Sequence, residues 1–221
     1  RYIRILDLKE VLMRYGMPAF FAEAAGKLAN LAYKMFSTVD RRDNTISVET
    51  AKAFGSEFEE FWNSVSGHYA CIIKRNLKFL RWRYANQPLW PYTILKATRQ
   101  DHMKAFAVLR EGDIKNGRLK GAKIGIVSDI LIDPEDKEAT MGLLKAIEDF
   151  FKSKRALLVK CDVLNAHVEK VLAGAGYLRI KPQNEFMLNI HPKHMKAEDA
   201  ELASLRKNWF ISSGDSDFDY Y

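Results

Sequence analysis

The residues best equipped for chemistry form a short aromatic and cationic constellation, Trp82-Arg83-Tyr84, with Trp90 and Tyr92 a few positions on. An indole or phenol face offers a sugar ring or an acyl chain a flat apolar surface, and a guanidinium between them offers a planar fork for a carboxylate or phosphate. The same residues could equally fasten a helix to a sheet, and both uses stay open. Asp215, Asp217 and Asp219 alternate near the end, but the bidentate Glu and full length of a calcium loop are absent. The expectation there is an ion pair instead, with Asp215 or Asp217 holding a buried arginine such as Arg83. His191 and His194 are the only close histidine pair and lack a third ligand nearby, so no metal is expected. There is no nucleophile elbow and no Walker loop. Catalytic residues therefore cannot be assigned from motif alone.

These residues sit in a chain of 221 residues with a net charge of +7. That length supports a sizeable core, and the abundance of aliphatic and aromatic residues argues against disorder. No acid occurs between Phe61 and Gln100, where Lys74, Arg75, Lys78, Arg81, Arg83, Lys96 and Arg99 fall. The cations alternate with Leu77, Phe79, Leu80, Trp82 and Tyr84, as in a packed segment. A nucleic-acid stripe would leave them free to reach phosphates. Nucleic acid is the unlikely partner, and an anionic ligand or lipid headgroup the better one. Apolar runs such as Ile124 to Ile132 are too short for a transmembrane segment. Cys71 and Cys161 each lie among apolar residues without zinc or redox spacing, which points to small buried thiols and a cytoplasmic location.

The elements follow from periodicity. Residues 8 to 36 read as two helices broken at Gly16-Met17-Pro18, and 39 to 49 as a turn entering a short strand. A helix is expected over 56–65 and another over 71–83. Tyr92 to Arg99, Ala105 to Glu111 and Ala122 to Ile132 predict three antiparallel strands. Asp133-Pro134 opens a helix over 135–152, then come a strand at 156–163, a helix at 166–173, and a last strand pair within 177–190. Three meandering strands followed by a βαβ step give an α+β fold with a mixed, mainly antiparallel sheet and flanking helices. The alternating start Arg1-Tyr2-Ile3-Arg4-Ile5-Leu6 reads as a strand with no visible partner in the sequence.

That order, with Ile132-Asp133-Pro134 ending a strand and Asn165-Ala166-His167 opening a helix that leads to Gly176-Tyr177, resembles the GNAT (acyl-CoA N-acyltransferase) superfamily. Two motifs narrow the resemblance: Trp82-Arg83-Tyr84-x-x-x-Pro88-x-x-x-Tyr92, and Asn208-Trp209-Phe210-Ile211 before Gly214-Asp215-Ser216-Asp217. Both look like GNAT-related proteins of bacterial surface-polysaccharide biosynthesis, in which two such halves lie in tandem. The resemblance implies that 61–221 is the second GNAT-like domain and that 1–60 is a helical junction from an N-terminal half. It implies acetyl-CoA or another acyl-CoA as co-substrate, and an amine acceptor such as an amino sugar or polysaccharide precursor. It also implies substrate-binding roles for Trp82, Arg83, Tyr84, Tyr92, Trp209, Asp215 and Asp217. In the superfamily a glycine-rich turn at a helix N-terminus cradles the cofactor pyrophosphate, and the positions matching it are Lys137, Thr140 and Gly142. Asn165 matches an Asn that begins the penultimate helix, whereas Leu172 stands where the superfamily carries a proton-donating Tyr. Thr140 in place of a glycine, Leu172, and the acids Glu135, Asp136 and Glu138 together imply a degenerate half. The alternative is a non-catalytic module with the same fold that binds a glycan or a protein.

Overall fold

The computed structural model describes residues 1–36, 45–181 and 196–215. In chain order the elements are β1 (Tyr2–Ile5), α1 (Leu8–Arg14), α2 (Ala19–Phe36), β2 (Ile46–Ala51), α3 (Ser56–Val65), β3 (Cys71–Ile72) and α4 (Leu77–Leu80). There follow β4 (Thr93–Arg99), β5 (His102–Asp113), β6 (Lys123–Ile132), α5 (Lys137–Ser153), β7 (Leu158–Cys161), β8 (Val163–Leu164), α6 (Ala166–Gly174), β9 (Leu178–Arg179), α7 (Ala197–Ser204) and β10 (Trp209–Ser212). Seven strands form one sheet in the order β2-β4-β5-β6-β7-β1-β9. Among the described residues only β6 and β7 run parallel within it, the crossover helix α5 joining them. The expected mixed, mostly antiparallel α+β architecture is what the residues build.

Strand periodicity explains how the sheet is covered. Val48 pairs with Ala97 and Ala97 with Ala105, so these side chains share one face. α5 lies against that face, and a Cβ on Gly142 would meet Ile46 at 3.2 Å. Phe106, one residue along β5, points to the opposite face and meets Phe58 and Phe61 of α3 edge-on, with centroids 5.3 and 6.1 Å apart. Ala105 to Leu109 are accordingly buried without alternation, the pattern of a strand covered on both sides. In α5, Met141, Leu144, Ile147 and Phe151 recur every three or four residues on the buried side.

Several expectations are corrected. The segment 71–83 is not one helix: it gives β3, then Asn76 caps the single turn of α4 through Phe79 N–H, and Arg81–Ala85 form a π-helical turn. The strand expected at 156–163 divides at Asp162, whose carboxylate is held by Arg1 at 2.7 Å. The opening strand does have partners, lying antiparallel between β7 and β9. Residues before 60 thus supply β1 and β2 to the same sheet as β4–β7 and β9. Of the last strand pair, Leu178–Arg179 forms β9 and the remainder falls outside the described residues. Cys161 is buried, which pushes its thiol up, while Cys71 is only half-buried.

One irregularity of the sheet positions the site. β6 pairs with β7 only over Ile124–Val127, matched to Leu158–Cys161. Beyond that point β6 continues to Ile132, whereas the other chain leaves through β8. β10 enters beside this divergence, pairing parallel with β3 and antiparallel with β8.

Candidate functional site

At the divergence, Asp129 of β6 is fully buried, and a carboxylate there needs partners. Its Oδ1 receives Arg75 Nε at 3.1 Å, the Ser212 hydroxyl at 2.7 Å and its neighbour's Ile130 N–H at 3.0 Å. Its Oδ2 receives the Tyr84 hydroxyl at 3.1 Å. Arg75, also fully buried, donates onward to the Ile73 carbonyl at 2.8 Å, Ser212 Oγ at 3.1 Å and Asp215 Oδ2 at 2.5 Å, and its guanidinium lies 4.8 Å from the centroid of Phe210. Asp215 Oδ2 also accepts the Ser212 N–H at 2.8 Å, and Arg83 Nε donates to the Gly214 carbonyl at 3.0 Å. Gly214 has no room for a side chain, since a Cβ would collide with the Tyr84 hydroxyl.

Two carboxylates thus share one buried guanidinium. Burial disfavours the Arg75 charge, but Asp129 and Asp215 outweigh it and raise the pKa. Burial raises the Asp215 carboxyl, opposed by Arg75 and reinforced by Asp129. The cluster is sealed from solvent, so its work is to fix the 209–215 segment in the divergence between β6 and β8.

The sequence predicts an ion pair of Asp215 or Asp217 with a buried arginine such as Arg83; Asp215 forms one, but with Arg75, while Arg83 binds the carbonyl of Gly214. Tyr84 and Tyr92 meet edge-on at 5.1 Å, bringing Arg83, Tyr84, Tyr92 and Asp215 into one interior neighbourhood. Trp209 donates its indole N–H to the Ala203 carbonyl at 2.8 Å. Asp217, Asp219, His191 and His194 lie outside the described residues. Sequence reading missed Asp129, Ser212 and the role of Arg75. The available signal was a lone acid, preceded by Ser128, in the largely apolar run Ile124 to Ile132.

Trp82 faces the other way. It is 64% exposed and borders an open cleft of about 610 Å³ with Glu59, Asn76, Lys78, Arg81 and Asn86. Glu59 Oε2 is held by the Leu77 N–H at 2.6 Å, and Arg81 by the Phe54 carbonyl at 2.8 Å, so the rim is preset. Trp90 carries Arg110 over its ring at 4.9 Å.

At the N-terminus of α5, Asp136 accepts the Ala139 N–H at 3.0 Å and is clamped by Arg99 through contacts of 2.8 and 2.9 Å. That clamp holds its carboxyl below the ordinary value. The Thr140 hydroxyl, buried, turns back to the Asp136 carbonyl at 3.2 Å, Gly142 faces β2, and Lys137 is exposed. Asn165 caps α6, its Oδ1 accepting the His167 and Val168 N–H groups at 3.1 and 3.2 Å. Among the described residues no cluster of His, Cys, Asp and Glu could hold a metal ion, and no helix is long and apolar enough to cross a membrane.

No family model matches the chain and no curated protein matches it. Among solved structures it is similar to an aminoglycoside acetyltransferase from an uncultured soil metagenomic sample in complex with trehalose, at 11% identity and a TM-score of 0.46, over 67% of this chain and 99% of that one. The same acetyltransferase with sisomicin gives 13% and 0.45 over 67% and 99%. A second soil-metagenome aminoglycoside acetyltransferase gives 13% and 0.39 over 66% and 99%. At such identities no residue's role transfers to this chain.

Proposed function

We propose that this chain is a degenerate GNAT-like domain of an N-acyltransferase-family protein that moves an acyl group from acyl-CoA to an amine. Its own share of that task is to recognise the acceptor. The observation that carries this reading is the N-terminal turn of α5. A pyrophosphate cradle needs open backbone N–H groups and cations. Here Asp136 occupies the turn, Arg99 is spent on Asp136, and Glu135 and Glu138 add further negative charge.

The acceptor side is better provided. The exposed indole of Trp82 can stack on a sugar ring, and Glu59, Asn76, Asn86 and Lys78 around it present both donors and acceptors. Glu59 and Trp82 together suit the ammonium group of an amino sugar, while Lys78 suits a carboxylate or phosphate on a polysaccharide precursor. Arg83, Tyr84, Tyr92, Trp209 and Asp215 serve this platform by holding the turn 81–85 and the 209–215 segment in place.

Calorimetric titration of the chain with acetyl-CoA, and with a longer acyl-CoA, is expected to give no saturable heat. Amino sugars are expected to quench indole fluorescence in a manner that Trp82→Phe abolishes. Saturable acyl-CoA binding would return cofactor chemistry to Lys137, Thr140, Gly142 and Asn165 and end the recognition-only reading. A second reading, a glycan-binding module with no part in transfer, draws on the same exposed Trp82. It separates from the first because glycan binding would then leave acyl transfer by the full protein unchanged in Trp82→Ala.

A further inference from the structure

α2 carries apolar residues on a side that the other described residues leave bare. At 100° per residue, Ala22 and Gly26 share the face that packs on α1, where Gly26 would bring a Cβ to 3.5 Å from Lys9 Cβ. Phe20, Phe21, Ala24, Leu28 and Leu31 fall on the opposite face. Phe20 is 79% exposed, Leu28 67%, Phe21 60% and Leu31 57%. The turn before α2 continues the surface with Tyr15 at 55% and Met17. Scattered exposed apolar side chains are ordinary, but six on one hairpin form a patch that wants a partner.

The border of this patch is basic. Arg118 lies over the Tyr15 ring at 5.3 Å, and Arg14 donates to the Lys120 carbonyl, which brings the loop between β5 and β6 against the hairpin. Beside it a cleft of about 820 Å³ opens between the α1–α2 hairpin and the end of α5, lined by Lys9, Arg14, Lys27, Lys123, Lys152 and Arg155. The acids there are Asp7, Glu10 and Glu23. Asp7 caps α1, Glu10 is engaged by Arg14 at 2.8 Å, and Glu23 by Lys9 and Lys27 at 3.2 and 3.0 Å. Lys152 is further engaged by Glu148 at 3.6 Å, and six cations against these four acids still leave the cleft a positive surplus, with Arg118 and Lys120 on the neighbouring loop.

An apolar helix face rimmed by lysine and arginine matches the layered chemistry of an anionic bilayer surface, acyl chains under phosphates. It does not match a second copy of itself, because a two-fold contact would bring like-charged rims together. We propose that the α1–α2 hairpin docks this chain on anionic membranes, Phe20, Phe21 and Leu28 entering the acyl boundary while Lys120, Lys123 and Arg155 meet headgroup phosphates.

Flotation with vesicles of phosphatidylcholine alone, and of phosphatidylcholine mixed with phosphatidylglycerol, tests this. The chain should float only with the anionic vesicles and release as salt is raised. Phe20→Ser/Phe21→Ser and, separately, Lys120→Glu/Lys123→Glu should each lower binding at least tenfold while far-UV circular dichroism stays unchanged. Equal binding to both vesicle types overturns the proposal, as does no binding by the folded chain. Inorganic phosphate that competes off the vesicles only through ionic strength supports a lipid surface; saturable phosphate binding without flotation overturns it in favour of a soluble anion. A dimer in sedimentation that the phenylalanine pair dissociates assigns the face to a second copy instead.

Discussion

A guanidinium without water must find acceptors for its N–H groups inside the protein, and Arg75 finds Ile73, Asp129, Ser212 and Asp215. Replacing it with Met leaves two carboxylates facing each other in the interior. Arg75→Met is expected to lower stability by about 3–5 kcal/mol, the cost of orphaning a buried charge, measured by urea unfolding. Asp215→Asn should cost less, because Asp129 still balances Arg75 and an amide oxygen still accepts from Ser212. The carboxyls of Asp136 and Asp215 respond to pH with opposite sign. Asp136 is held below its ordinary value by Arg99, so the unfolded chain takes up its proton first as pH falls. Its stabilisation is present above the unfolded value of about 3.9 and fades as pH drops through the lower folded one. Unfolding followed between pH 6 and 3 should show this loss in the native chain and a flatter profile in Asp136→Asn. Asp215 is raised by burial, so its contribution is present at low pH and is lost as pH rises through its folded value. Part of this was legible in the sequence: an aspartate of the final segment closing onto a buried arginine is a reading of residue types. Which arginine was not, because Arg75 and Arg83 lie in one basic run, both are buried, and only the breaks at β3 and α4 decide which of them meets the carboxylates.

At the scale of elements, the contact between α5 and β6 depends on Gly125. A Cβ there would collide with Phe151 Cγ, well short of any real contact distance. Gly125→Ala is expected to destabilise by about 1–3 kcal/mol through forced repacking of α5, read from thermal or urea unfolding. Long periodic segments such as α5 and the meander β4–β5–β6 were legible because burial on one or both faces writes itself directly into residue spacing. The short elements were not. β3 and β8 have two residues each and β10 four, too few for a period to emerge, and their pairing is set by partners 47 to 138 residues away. The Asp162 break between β7 and β8 is likewise an ion pair with Arg1, a tertiary cause with no local signature.

At the scale of the whole molecule, stability and surface recognition are held by different residues. Phe20 and Phe21 contribute exposed area and little core, so the Phe20→Ser/Phe21→Ser variant should unfold within roughly 0.5 kcal/mol per site of the parent, checked by the same urea titration. Fold class and strand order from β4 to β7 could be read from the sequence; the place of β1 could not, because alternation identifies a strand without naming its neighbours. That place has a consequence for how the chain is made. Tyr2 pairs with Cys161 on one side and Arg179 on the other, so β1 emerges from the ribosome well before either strand that seats it. At a synthesis rate of about 5–20 residues per second, it waits on the order of ten seconds for its slot. During that interval an apolar hairpin and an unpaired strand are both presented to the cell. A nascent chain arranged in this way needs its edges shielded from neighbours until β7 and β9 have been translated.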